Sequence, residues 1–205
     1  HAMLGEHDII PAYIQELTDK VQLERPLRVV VDGGNGAAGT VCAELLERAG
    51  AQVTRLFCEP DGDFPNHHPD PVVEKNLAQL KAKVLETSAD CGVGLDGDGD
   101  RLGVVDEKGQ TLPGDRLLAI LARDLLSRHP GASVIAEAKC SHLLYQDIVR
   151  HGGKAIMGVT GHSVMKTRLQ ETGALLAGEM SGHMFFAEDF HGVDDACYAA
   201  LVLLR

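Results

Sequence analysis

Tryptophan is absent, and only five Phe and three Tyr stand among 205 residues. A core must therefore be built from Val, Leu, Ile and Ala, which the 44% hydrophobic content supplies. Positive charge is scarce as well: 19 Lys and Arg face 30 Asp and Glu, a formal net charge of −11. That balance argues against nonspecific nucleic-acid binding, which needs a basic surface. It leaves room for a local basic pocket that takes a phosphorylated small molecule. The five cysteines, Cys42, Cys58, Cys91, Cys140 and Cys197, are odd in number and form no C-x-x-C pair. Neither a disulfide framework nor a zinc site is expected from them, and a reducing cytoplasmic setting is. No apolar run approaches the roughly 20 residues that span a bilayer, so no membrane partner and no signal peptide are expected. The opening His-Ala-Met reads as a cloning scar, and residues 1–7 are set aside as a tag or linker remnant.

What is present is alternation. Residues 8–24 carry the spacing of an amphipathic helix, 27–31 a β-branched strand, 40–49 a helix ended by Gly50, and 52–57 a second strand. A loop rich in Pro, Asp, Asn and His covers 59–71; a helix is expected over 76–86, and strands over 91–95 and 103–106. Glu107-Lys108-Gly109-Gln110 reads as a hairpin turn with Gly109 at positive φ. The pattern then restarts: helix 115–128, strand 133–136, helix 141–151, strand 154–159, helix 163–172, strand 175–178, a short strand at 184–187, and helix 194–204. Strands alternating with helices predict a layered α/β fold, and the restart near Pro113 predicts two similar units, 8–110 and 111–205. A chain that stops inside a good helix reads as truncated.

The densest chemistry is Asp96-Gly97-Asp98-Gly99-Asp100-Arg101, flanked by apolar strands. Three carboxylates so close repel one another and call for a cation. Hard ions such as Mg²⁺ take oxygen ligands, and glycines let the backbone turn tightly enough to bring Asp96, Asp98 and Asp100 to one ion. An EF-hand is excluded although Glu107 falls at the twelfth position: Arg101 stands where that loop needs Gly, and the flanks are strands. Arg101 can hold a phosphate bidentately, and metal beside such an arginine points to phosphoryl transfer.

Gly34 to Gly39 matches G-x-G-x-x-G after a strand and before a helix, with Glu59 about 20 residues on, as in dinucleotide-binding sites. Asp32 and Gly33, inserted before the first motif glycine, move the turn from the usual position. A tight packed connection, or a turn that shapes a neighbouring cleft, is preferred to a nucleotide cradle. Three polar clusters follow expected strands of the second half: Lys139 in Glu-Ala-Lys-Cys-Ser, Thr160-Gly161-His162-Ser163, and Gly178-Glu179-Met180-Ser181-Gly182-His183. Singly these suit a surface lysine, a helix cap and a polar turn. Together they recur at the strand ends where open α/β sheets bind ligands, and suit a polyol bearing a phosphate.

The acidic loop, the 178–183 loop, Val31 to Gly39, Pro65 to Pro71 and Lys139-Cys140-Ser141 together resemble stretches of the α-D-phosphohexomutase superfamily, in order and spacing from about residue 8 to 205. Glu-Met-Ser in the 178–183 loop is similar to the bacterial phosphomannomutase/phosphoglucomutase branch. The resemblance implies two three-layer αβα domains with mixed sheets, the second and third of four. It implies an isomerase that interconverts mannose or glucose 1- and 6-phosphates through a phosphoserine and a 1,6-bisphosphate, and supplies nucleotide sugars for surface polysaccharides. By the same resemblance Asp96, Asp98 and Asp100 would hold Mg²⁺, and Arg101 would contact the phosphoserine or the transferring phosphoryl. Glu179, Ser181 and His183 would bind sugar hydroxyls; Lys139, Thr160, Gly161 and His162 would line the cleft, with Lys139 and His162 supporting proton transfer or phosphate binding. The sequence departs from the family at Glu137-Ala138, where Asp-Val is usual, and at His142, where Arg is common. The family's Ser-His-Asn-Pro nucleophile loop occurs nowhere in it, so the N- and C-terminal domains are expected to be missing and the chain alone inactive. The alternative is a non-catalytic module that binds phosphosugars or dinucleotides.

Overall fold

The computed structural model describes residues 7–205; the reading of residues 1–6 as a tag lies outside them. The first half runs α1 (Ile10–Lys20), β1 (Arg28–Asp32), α2 (Gly39–Arg48), β2 (Gln52–Leu56), a 3-10 turn over Glu74–Leu77, α3 (Ala78–Thr87), β3 (Cys91–Leu95), β4 (Leu102–Asp106) and β5 (Thr111–Leu112). The second runs α4 (Gly114–Arg128), β6 (Ser133–Glu137), α5 (His142–Arg150), β7 (Lys154–Gly158), α6 (His162–Thr172), β8 (Leu176–Gly178), β9 (Met184–Phe186) and α7 (Ala196–Leu204).

Two mixed sheets result, ordered β2-β1-β3-β4-β5 and β7-β6-β8-β9. In each, a central strand has parallel neighbours on both sides, and the last long pair is antiparallel. The second sheet therefore repeats the first through its four principal strands. This puts the β3–β4 connection (96–101) and the β8–β9 connection (179–183) at the same place in the repeat. The repeat is faint in residue identities because burial pattern, not residue type, sets the topology.

Several boundaries differ from the sequence reading. The first helix ends at Lys20 because Val21 is extended, and the chain then crosses onto α2, Leu23 donating to the Ala49 carbonyl at 3.1 Å. The helix expected from 76 begins as the 3-10 turn. Thr111–Leu112 pairs with β4, so the first sheet continues past residue 110.

Each sheet has its own helix on one face. Leu80 and Val84 of α3, with Leu77 before it, pack on Val30 and Val105; Met165 and Leu169 of α6 pack on Ile135 and Phe185. The opposite faces share one large core to which α1, α2, α4, α5 and α7 contribute. Helix α7 reads ACYAALVLL and is apolar all round, the signature of a helix with neighbours on every side. It packs on α2, α4 and β4 and so joins the two sheets. Asp195 caps it, accepting from the Tyr198 amide at 2.8 Å, and Tyr13 of α1 donates its hydroxyl to the same carboxylate at 2.8 Å.

Candidate active site

The acidic loop is organised by its first residue. Asp96 directly follows β3 and is 1% exposed. Its Oδ1 accepts from the amides of Gly99, Asp100 and Arg101 at 3.0, 3.0 and 3.1 Å, and its Oδ2 accepts from Arg101 Nε at 2.7 Å. Burial raises its pKa, but the Arg101 bonds outweigh burial and hold it below the usual carboxylate value. Asp98 and Asp100 stand beside it: all three residues offer a carboxylate oxygen, and these lie within 4.8 Å of one another. Asp100 is pushed up to about 6, by burial first and by the Asp96 charge next. A crowded set of hard oxygens of this kind fits Mg²⁺. Arg101 does not stand alone as a phosphate hook; besides Asp96 it reaches Asp70 with Nη1 at 3.2 Å.

The glycine-rich turn is a buttress. The Gly34 amide donates to Asp32 Oδ1 (2.9 Å), Asn35 to Phe57 O (2.8 Å), Gly36 to Gly33 O (2.8 Å) and Ala37 to Gly97 O (3.0 Å). Four successive amides are engaged inside the protein, so the donors a pyrophosphate needs are taken. A Cβ on Gly36 would lie 2.8 Å from the carbonyl oxygens of Asp96 and Gly97; glycine is required because the turn presses on the acidic loop. The loop at 65–71 closes the other side. His67 Nε2 lies 3.1 Å from the buried Asp32 carboxylate, and Asp70 holds Arg101. From the far side the first amide of α7, at Ala196, donates to the Gly99 carbonyl at 3.0 Å.

The 179–183 loop is built from a buried glutamate. Glu179 Oε1 accepts from the Gly161 amide at 2.9 Å, and Oε2 from Ser181 Oγ at 3.2 Å. His183 Nδ1 lies 2.8 Å from Ser181 Oγ and 3.3 Å from Glu179 Oε2. Burial raises the Glu179 pKa, yet His183 and the Gly161 amide together bring it below the ordinary value. Burial lowers His183, yet Glu179 and Asp100 raise it on balance.

The two equivalent loops meet. Arg101 and His183 form an antiparallel bridge, and the Leu102 amide donates to Gly182 O at 3.1 Å. His183 Nε2 lies 3.2 Å from Asp100 Oδ1. Gly182 permits this approach: its φ is +93°, and a Cβ there would lie 2.5 Å from the Leu102 carbonyl oxygen.

The remaining expected residues line the same edge. Thr160 donates its hydroxyl to Glu137. His162 stacks on His183 with ring centroids 6.0 Å apart. Lys139 is largely exposed and reaches Glu137 Oε1 at 3.1 Å rather than the acidic loop. Two residues escaped the sequence reading. Glu137, 1% exposed, ties three loops through Lys139, Thr160 and the Met180 amide, the last at 2.9 Å on Oε2; a charged residue ending an apolar strand was the available signal. Asp194 holds Lys166 Nζ at 2.6 Å and lies 3.6 Å from His162 Nδ1; in an Asp-Asp pair before a helix it passes for a cap.

Family models match both halves in register: phosphoglucomutase/phosphomannomutase alpha/beta/alpha domain II over residues 11–109, and domain III over 113–205. The chain belongs to the phosphoglucomutase/phosphomannomutase family. A phosphomannomutase/phosphoglucomutase of Pseudomonas putida is 52% identical over 198 residues, covering 97% of this chain and 43% of that protein. A phosphoglucomutase of Neisseria gonorrhoeae is 48% identical over 200 residues, covering 98% and 44%. A crystal structure of a phosphoglucomutase/phosphomannomutase family protein from Burkholderia thailandensis superposes with a TM-score of 0.95 at 45% identity, covering 98% of this chain and 44% of that one. The chain thus spans less than half the length of these relatives, and the matched part carries the family's two central αβα domains with their mixed sheets. Among the described residues no helix is long and apolar enough to cross a membrane.

Proposed function

We propose that this chain is the central two-domain part, with the boundary after Leu112 rather than at the expected residue 110, of a cytoplasmic phosphohexomutase that interconverts the 1- and 6-phosphates of mannose or glucose through a 1,6-bisphosphate. The observation that carries this reading is the meeting of the two loops at Asp100 and His183, 3.2 Å apart. It sets an oxygen-ligand cluster beside a loop whose hydrogen-bonding groups suit a polyol. Asp96, Asp98 and Asp100 hold Mg²⁺, which when bound supplies charge that offsets the transferring phosphoryl oxygens. Arg101, anchored by Asp96 and Asp70, turns its guanidinium toward that phosphoryl. Glu179 and Ser181 accept and donate to sugar hydroxyls, and His183 and His162 hold or move a proton at the hydroxyl that gains or loses phosphate. Thr160, Gly161 and Lys139 line the cleft, Lys139 suited to a substrate phosphate by its exposure.

The serine that donates and recovers the phosphoryl group belongs to a part of the parent protein beyond this chain, since no Ser-His-Asn-Pro occurs in it. The chain alone therefore binds Mg²⁺ weakly and turns nothing over. A dehydrogenase-coupled assay with glucose 1-phosphate should give no glucose 6-phosphate, and clear turnover would refute the fragment reading. Hexose phosphate, added with saturating Mg²⁺, should shift amide resonances of residues 179–183; no shift would sink the assignment of that loop. The dinucleotide reading lacks support because the amides of residues 34–37 are engaged.

A further inference from the structure

We propose that Asp100, His183 and Asp194 form a second cation site, of mixed nitrogen and oxygen character, that takes Zn²⁺ or a similar transition metal rather than Mg²⁺. One ligand atom from each lies within 4.8 Å of the other two. Asp194 sits beside β9, bridged to Phe185, with its side chain only 4% exposed. Its Oδ2 is buried and has no hydrogen-bond partner; the His162 ring, 3.6 Å away, is too far to satisfy it. A buried carboxylate oxygen without a donor is costly, and the Asp194 carboxylate lies within 4.8 Å of ligand atoms of His183 and Asp100.

The ligands are also oriented as a metal site requires. A metal-bound imidazole nearly always gives its other ring nitrogen to a carboxylate or similar acceptor. His183 does so: Nδ1 is held by Glu179 Oε2 at 3.3 Å and Ser181 Oγ at 2.8 Å, which turns Nε2 toward Asp100. Asp194 is fixed through its other oxygen, where Lys166 Nζ lies at 2.6 Å, which leaves Oδ2 without a partner. Three protein ligands of imidazole and carboxylate type, with a fourth position left to water, follow the plan of an open zinc site. The imidazole sets the preference, because Mg²⁺ favours all-oxygen surroundings.

Two consequences follow from shared ligands. Asp100 belongs to this site and to the Asp96–Asp98–Asp100 triad, so an ion in one weakens the other. The site also joins the two halves, since Asp100 lies in the first and His183 and Asp194 in the second; occupancy there withdraws His183 from any sugar hydroxyl. The site stands on its own geometry and does not depend on the sugar-phosphate reading.

The test is titration of the chain with Co²⁺ alone, read by visible absorption, in wild type, Asp194→Asn and Asp98→Asn. Asp98 belongs to the triad only. Asp194→Asn should weaken the Co²⁺ bands roughly tenfold or more, while Asp98→Asn leaves them and abolishes Mg²⁺ binding. Loss of the bands in Asp98→Asn, or their retention in Asp194→Asn, overturns the proposal. A wild-type measurement guards against a variant that fails to fold: Zn²⁺ should shift the Nε2 resonance of His183, and saturation without that shift overturns the proposal too.

Discussion

Replacing Gly36 with alanine separates two readings of the glycine-rich turn without removing any polar group. The new Cβ would lie 2.8 Å from the carbonyl oxygens of Asp96 and Gly97, where ordinary contact begins near 3.4 Å. Both obstacles are backbone, so no side-chain rotation relieves the overlap; turn and acidic loop must separate by about half an ångström, at roughly 1–3 kcal/mol for an overpacked site. Metal coordination tolerates only about 0.2 Å of ligand displacement. Asp96 and Asp98 flank the displaced peptide, so Mg²⁺ affinity should fall roughly ten- to a hundredfold, as when supporting groups of a metal site are disturbed. Gly62 is the control, because a Cβ there meets nothing within 4 Å, and Gly62→Ala should stay within about 0.5 kcal/mol of wild type. Urea unfolding gives the stability change and calorimetric Mg²⁺ titration the affinity. Unchanged Mg²⁺ affinity in a folded Gly36→Ala protein would refute the buttress argument; nucleotide binding by wild type, lost in the variant, would revive the dinucleotide reading.

Glu137→Ala removes the acceptor of the Thr160 hydroxyl and the Met180 amide, two bonds to a charged group at about 1.5–3 kcal/mol each; the exposed Lys139 pair adds little. A loss of about 3–6 kcal/mol in urea unfolding is expected, and less than about 1 kcal/mol would mean the three loops are held otherwise. Gly182→Ala combines a φ of +93° with a Cβ 2.5 Å from the Leu102 carbonyl oxygen. It should part the two loops, read as loss of amide-exchange protection at Leu102; retained protection would contradict the account of that contact. Burial holds the Asp32 pKa above its ordinary 3.8, with His67 opposing. The folded protein therefore binds this proton more tightly than the unfolded chain, and its contribution to stability falls as pH rises from 3.8 through the folded value. Asp32→Asn should remove that part of the pH slope, measured by urea midpoints; an unchanged slope would place the buried proton elsewhere.

Much of the fold is legible in local pattern. Cys91–Leu95 could be read to the residue because an apolar run stops at a charged turn, and α4 to within one residue of its start because its apolar positions keep helical spacing. The 3-10 entry to α3 and the two-residue β5 are not legible that way; both are decided by what the segment pairs with rather than by its own residues. Among site residues, Asp96, Asp98 and Asp100 are legible because their chemistry is dense, whereas Glu137 and Asp194 resemble ordinary strand-end and cap residues until their partners are seen.

By itself the sequence determined the alternation of strands and helices and the metal-type loop, because the ligands of that loop are chain neighbours and two glycines suffice to gather them. It also determined the all-round apolar character of α7, whose lack of a polar face commits it to the interior. Tertiary structure decided which loops face each other. The meeting of Asp100 with His183 depends on how α7 and the shared core set one sheet against the other, and the engagement of the glycine turn with Gly97 on the pairing of β1 with β3. Those contacts join residues tens of positions apart, so they follow from packing and not from local pattern.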